Sequence, residues 1–250
     1  MRIDIMTLFP ELVETVLSES IIGRARKNGI LQISAVNIRD FSEDKHRRVD
    51  DTPYGGGKGM LMAAPPIYNC YTELTKDSPK DEKKRVLYMS PRGRVFDQKA
   101  AKELASYDRL IILCGHYEGV DQRIIDEIVD EEVSIGDFVL TGGEIPACIV
   151  TDAVGRLVPG VLSDEECFEK ESFEDGLLEY PQYTRPAVFL GREVPEVLLS
   201  GHHANIEKWR LDEAKKITKT NRPDLWEKIP PEEPKKKRKK RGSETGSDPE

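Results

Sequence analysis

The chain has 250 residues, a net charge of −8 and 38% apolar content, with only 7% aromatic residues. That length accommodates one large domain, or one of about 150 residues with a smaller companion, and the core must be built from Leu, Ile and Val rather than rings. No apolar run approaches the roughly 20 residues of a membrane helix, and the acidic balance excludes a general nucleic-acid coat. Ile3 to Phe9 reads as a strand, and the segment has neither a long apolar stretch nor a cleavage-site pattern, so no secretory leader is expected. Pro10 opens a helix at a position where its missing N–H costs nothing. Leu31 to Ile38 alternates as a strand should. Arg85–Ser90 and Arg109–Cys114 are continuous apolar runs of the kind buried on both faces of a parallel sheet. Between them Asp97 to Ser106 reads as a helix capped by Asp97. Asp121 to Val129 is a further helix, and Glu132 to Ile135 a further strand. Strand alternating with helix predicts a mostly parallel sheet with helices on its faces.

After about Pro159 the character changes. Ser163 to Glu179 is acidic and weakly periodic, a linker able to order on substrate binding. Residues 181–230 read as helical, with Ile206, Trp209, Leu211 and Ile217 spaced among charges and a short terminal helix over Asp224 to Ile229. From Pro234 the composition cannot bury a core and predicts disorder. The tail sets the seven cations of Lys235 to Arg241 against Glu244, Asp248 and Glu250, leaving the preceding 234 residues with a net charge of −12. An RNA-binding surface on that body must be a local basic patch. The cysteines (Cys70, Cys114, Cys148, Cys167) lack any C-x-x-C pair, so neither metal nor redox spacing is present, and a reducing cytoplasm is the expected setting.

Three glycine-rich loops carry the chemistry. Pro53-Tyr54-Gly55-Gly56-Gly57-Lys58-Gly59-Met60 could cradle an anion through backbone N–H groups, but it lacks the P-loop pattern, and a flexible surface loop reads equally well. Cys114-Gly115-His116-Tyr117-Glu118-Gly119-Val120-Asp121 directly follows an apolar strand, where ligands of open parallel sheets sit. Ile135-Gly136-Asp137-Phe138-Val139-Leu140-Thr141-Gly142-Gly143-Glu144-Ile145-Pro146 offers small residues, exposed backbone and apolar side chains suited to adenine and ribose. With Tyr88-Met89-Ser90-Pro91 at another strand end, these loops make a composite nucleotide-like site, and none has the G-x-G-x-x-G of ordinary dinucleotide chemistry. Lys45, His46, Arg47 and Arg48 suit phosphate contact or a solvated loop. The adjacent His202 and His203 read as surface residues rather than metal ligands, and no metal site is expected. Trp209 and Trp226 read as anchors of a helical domain rather than stacking platforms.

The sequence resembles the TrmD family, bacterial tRNA (guanine-N1)-methyltransferases of the SPOUT class. The resemblance rests on Met6–Pro10, Asp51–Gly57, Leu113–Asp121, Ile135–Glu144, Arg156–Val161 and Tyr180–Pro186, in order from the first strand to about residue 230. It implies an α/β fold: a trefoil-knotted parallel sheet with helices on both faces, the knot between roughly Arg85 and Pro159, and a small helical C-terminal domain. The implied organisation is a catalytic domain over 1–160, a linker over 161–180, a helical tRNA-binding domain over 181–233 and a basic tail over 234–250. S-adenosylmethionine would be held bent in the knot by Tyr88, Met89, Ser90 and Pro91, by Gly115, Tyr117, Glu118 and Gly119, and by Ile135, Gly136, Asp137, Phe138, Val139, Leu140, Gly142, Gly143 and Pro146. The implied reaction is methylation of N1 of guanine at tRNA position 37, beside the anticodon. The implied enzyme is a cytoplasmic obligate homodimer that engages the anticodon arm, its active sites shared across the interface, and the family is reported to respond to Mg2+. The resemblance gives the base to Glu171, fifteen positions after Arg156, and O6 stabilisation to Arg156. The family pattern has Asp where this chain has Glu171, one methylene longer. Read from the residues alone, Glu171 is one carboxylate of a solvated acidic run, and Arg156 a cation near a helix C-terminus. Two alternatives stand beside this reading: a SPOUT enzyme acting on a ribose 2′-oxygen or on ribosomal RNA, and a non-catalytic RNA-binding module whose loops hold a nucleotide.

Overall fold

A computed structural model describes residues 1–162 and 171–230. The chain forms two compact units, residues 1–169 and 170–250. The first carries β1 (Arg2–Thr7), α1 (Pro10–Leu17), α2 (Ser20–Lys27), β2 (Gln32–Asn37), the two-residue strands β3 (Asp50–Asp51) and β4 (Leu61–Met62), α3 (Ala64–Thr75), β5 (Lys84–Val95), α4 (Gln98–Leu104), β6 (Arg109–Cys114), α5 (Gln122–Ile128), β7 (Glu131–Ser134) and α6 (Glu144–Gly155).

Five of these strands form one parallel sheet in the order β2-β1-β6-β5-β7. Ile5 of β1 faces Ala35 on one side and Ile112 on the other, and Leu87 of β5 completes that row. Alternate side chains enter opposite cores, as the pleat requires. Ile3, Ile5, Leu110 and Ile112 pack with α1, α2, α4 and α6, through residues such as Val13, Ile22, Leu104 and Val150. Met6, Ile111 and Leu113 pack with α3 and α5, through Ile67, Cys70, Ile124 and Ile128. Helices on both faces explain why β6 is buried at every residue.

Asp97 caps α4 through Ala100 N–H at 2.8 Å, and Asp121 caps α5 through Arg123 N–H at 2.9 Å. Arg109, inside an otherwise apolar strand, is 1% exposed. Its guanidinium donates to Asp4 at 2.7 Å, Ser78 at 2.9 Å and the Leu74 carbonyl at 2.8 Å, so a buried cation is fully partnered while it ties β1, β6 and α3 together.

Two local expectations change. Helix α2 lies where the sequence reading placed nothing, and β5 continues five residues past Ser90. The continuation needs a register shift between Met89 and Arg94, after which Arg94 pairs with Val133. Pro91 falls inside that irregularity, which is where a strand tolerates proline. A Cβ at Gly93 would lie 2.3 Å from the Glu132 backbone, so the crossing requires glycine.

The second unit contains a hairpin of β8 (Val188–Phe189) and β9 (Arg192–Glu193), then α7 (Glu196–Leu199), α8 (His203–Asn221) and α9 (Pro223–Trp226). The helical reading of 181–230 therefore fails over 181–195. Pro181, Pro186 and Pro195 interrupt a helical ladder there, and Leu190 and Gly191 turn the hairpin with φ of 50° and 74°. Part of the expected linker is packed. Leu177 is buried, and Leu178 N–H donates to Thr218 Oγ1 of α8 at 2.8 Å. Trp209 is half-buried with its ring 6.3 Å from that of Tyr183, and Arg210 lies over the Tyr180 ring at 4.9 Å. The expected tail and residues 163–170 of the linker lie outside the described residues.

Candidate active site

The carboxyl ends of β5, β6 and β7 open into a cleft of about 340 Å³, within the size range of small-molecule sites. Its walls are the irregular middle of β5 and the residues that follow β6 and β7. Tyr88, Met89, Ser90 and Pro91 come from β5. Gly115, Tyr117, Glu118 and Gly119 follow β6. Ile135, Gly136, Phe138, Val139, Leu140, Gly142, Gly143 and Pro146 follow β7 and enter α6. Sequence reasoning had assigned all of these to one ligand. Asp137 is the exception: it lies in the same loop but not on the wall. Phe138 N–H closes back on the Gly136 carbonyl at 2.9 Å, and Asp137 is the exposed apex of that three-residue turn.

Glycine is required where the loops converge. A Cβ at Gly115 would meet the Tyr88 hydroxyl at 2.9 Å, and one at Gly143 would meet Cys114 Cα at 2.7 Å. Gly143 N–H donates to the Gly115 carbonyl at 2.8 Å, joining the second and third loops. The first glycine-rich loop is not on the wall, but it braces the second. Glu118 N–H donates to the Met60 carbonyl at 3.0 Å and Met62 N–H to the Gly119 carbonyl at 2.9 Å. Tyr54 in that loop is 100% exposed.

Arg92, Gln122 and Ser134 of the wall escaped the sequence reading, while His116 and Thr141 stood in its glycine-rich loops without a role of their own. Arg92 is pinned at the cleft by Glu132, through contacts of 3.2 and 3.0 Å. Its neighbours Ser90 and Pro91 were already in a quoted motif, so the signal was adjacency. Glu144, also in a quoted motif, is a carboxylate only 3% exposed.

Arg156 is the C-cap of α6, the position its macrodipole reading requires. Glu171 is half-buried in the second unit. Lys45, His46, Arg47 and Arg48 are exposed, yet Arg47 pairs with Asp40 at 2.8 Å and Arg48 with Asp44 at 3.0 Å. The Arg48 hydrogen bond holds the Asp44 carboxyl down at about 2. His202 and His203 are exposed. Burial pushes the Cys70 thiol up to about 12 and Cys148 to about 11, and raises Cys114 well above the usual thiol range, so these three are protonated, inert packing groups. Among the described residues no three His, Cys, Asp or Glu side chains cluster to hold a metal ion, and no helix is long and apolar enough to cross a membrane.

Residues 1–228 match the family model described as tRNA (Guanine-1)-methyltransferase TrmD. The chain belongs to this family. It is 58% identical over 230 residues to a tRNA (guanine-N(1)-)-methyltransferase of Ruminiclostridium cellulolyticum, covering 92% of this chain and 98% of that one. The like-named protein of Lachnospira eligens is 57% identical over 227 residues, 91% of this chain and 95% of that one. That of Clostridioides difficile is 53% identical over 228 residues, 91% and 98% respectively. The TrmD match thus spans both compact units, and all three cleft loops fall inside it.

Proposed function

We propose that this chain transfers a methyl group from S-adenosylmethionine to N1 of the guanine at tRNA position 37, immediately 3′ of the anticodon, in the cytoplasm. The observation that carries the reading is the cleft at the ends of β5, β6 and β7, built from the loops of a TrmD-family sequence. Its walls suit a nucleoside. Glycines admit backbone N–H and C=O groups to close range, and Phe138, Val139, Leu140 and Pro146 offer apolar surface to an adenine. A knotted path between Arg85 and Pro159 belongs to the same reading.

Bound S-adenosylmethionine supplies an electrophilic methyl group. The chain must supply the rest. Guanine N1 carries a proton at neutral pH, so a base has to take it, and negative charge moving onto O6 needs a cation or donor. Glu171 is assigned the base role and Arg156 the O6 role. Glu171 provides the carboxylate this chemistry needs, on a side chain one methylene longer than the family's Asp. The second unit, with Lys208, Arg210, Lys215 and Lys216 along α8, is assigned to the anticodon arm.

The working form is a homodimer. Leu12 and Val16 of α1 and Ile145 and Ile149 of α6 are exposed on two helices that pack together, an apolar face suited to a second copy. Light scattering at micromolar concentration should report a dimer, and an active monomer would remove this part. Calorimetry with S-adenosylmethionine, followed by turnover on a tRNA transcript, tests the whole. Cofactor binding with methyl transfer supports the reading; binding without transfer to any RNA would leave only a nucleotide-holding module.

A further inference from the structure

We infer that Thr7 and Glu144, meeting His116 of the cleft wall at Gly142, form a positioning relay that sets the third glycine loop for the bound cofactor. The inference rests on reading the cleft as the S-adenosylmethionine site. Thr7 ends strand β1, which lies between β2 and β6, and is 0% exposed. Its hydroxyl donates to Glu144 Oε1 at 2.8 Å and accepts from Phe9 N–H at 2.9 Å. Glu144 opens the twelve-residue helix α6, whose N-terminal dipole favours an anion there. A buried carboxylate is thus tied by one hydrogen bond to the carboxyl end of β1.

His116 approaches the same point from the second loop. Its ring lies 4.9 Å from Phe9 and 5.1 Å from Tyr117, centroid to centroid. Its Nδ1 is buried and has no hydrogen-bond partner among the described residues. The two side chains converge on Gly142. A Cβ there would lie 2.4 Å from Glu144 Oε2 and 2.8 Å from His116 Nδ1. Two polar atoms therefore stand directly behind one backbone position of the cleft wall.

Packing alone gives no reason for this arrangement. Burying a carboxylate and an imidazole nitrogen costs desolvation that an apolar pair of similar volume would not incur. What the pair can do is orient a backbone segment. Gly142 and Gly143 belong to the wall, and ligand-contacting backbone gains affinity when a supporting layer fixes it beforehand. Glu144 and Thr7 are positioning residues on this account, acting on the ligand only through Gly142.

The test uses the full chain with S-adenosylhomocysteine as probe. Calorimetry reads its affinity, kcat is measured at saturating S-adenosylmethionine, and ligand-free Tm is followed alongside. Thr7→Val keeps the shape and loses the hydroxyl; Thr7→Ser keeps the hydroxyl and loses a methyl. Glu144→Gln keeps the side chain's shape and removes its charge. Thr7→Val and Glu144→Gln should each weaken binding about tenfold, near the value of one hydrogen bond to a charged group. Saturated kcat should hold within about twofold, and Thr7→Ser should bind like the wild type. A merely structural role would lower Tm and leave affinity unmoved. Wild-type affinity in Thr7→Val, or equal losses in Val and Ser, would overturn the relay. Should Thr7→Val fail to fold, Glu144→Gln decides in its place, and wild-type affinity there would overturn the relay. A wild-type chain that does not bind S-adenosylhomocysteine would instead overturn the cleft reading, and this inference with it.

Discussion

Two glycine-rich regions of the first unit use glycine for opposite reasons. At the cleft, Gly115, Gly142 and Gly143 are hemmed in, and a Cβ at any of them would strike a neighbour within 3 Å. In the 53–60 loop, Gly55 and Gly56 face open space, and they are glycines because their φ values are +86° and +80°. The first pattern belongs to a cavity built before its ligand arrives. The second belongs to an exposed loop whose shape matters more than its packing. The cleft is thus the part designed to hold something, while the exposed segments are free to meet a large partner.

That contrast can be broken or sharpened by substitution. The largest effect should come from outside the cleft. Glu171→Gln should lower turnover by about 100- to 10,000-fold, the usual loss for a general base, while S-adenosylhomocysteine affinity measured by calorimetry stays within about twofold. Near-full turnover in this variant would remove Glu171 as the base and bring Glu169 forward. Mixed dimers of Arg156→Ala and Glu171→Gln chains extend the test. Recovered activity would place the two residues of one site on different chains.

Next in size is Gly143→Ala. The added methyl would press on the Cys114 and Gly115 backbone, and such overpacking costs about 1–3 kcal/mol. Cofactor affinity should fall at least tenfold in a calorimetric titration, with a lower Tm. Smaller again is the paired change Arg47→Ala and Arg48→Ala. Both guanidiniums are exposed but partnered by Asp40 and Asp44, so phosphate must compete for them. Binding titrations over several salt concentrations should show weaker tRNA binding, with the salt slope reduced by about one unit per lost phosphate contact. An unchanged slope would move the RNA surface elsewhere. The smallest effect on the cofactor should come from Gly55→Ala, which costs about 1–2 kcal/mol of backbone strain and leaves calorimetric affinity within about twofold.

The sheet was legible because it is buried. Continuous apolar runs such as Leu110–Leu113 have one comfortable environment, and the loops that follow them mark the carboxyl edge where ligands sit. Asp97 announced its helix by capping chemistry. The features that escaped depend on long-range partners. The extension of β5 past Pro91 exists because Arg94 and Val95 find Val133 and Ser134. The role of Arg109 exists because Asp4, 105 positions earlier, meets it inside the fold. Likewise Glu144 is in sequence only one residue of a glycine-rich loop, and only the arrival of Thr7 and Gly142 gives it a place behind the cleft. In the second unit, the helical reading extended over 181–195, and the prolines there prevailed.

The central claim, methylation of guanine N1 beside the anticodon, is tested most directly by the product. Two tRNA transcripts would be incubated with the full chain and S-adenosylmethionine, one carrying guanine at position 37 and one carrying adenine there. Nucleosides from each would then be resolved by mass spectrometry. The account requires 1-methylguanosine from the first transcript and no methylated nucleoside from the second. A ribose-methylated product, or equal methylation of both transcripts, would contradict it.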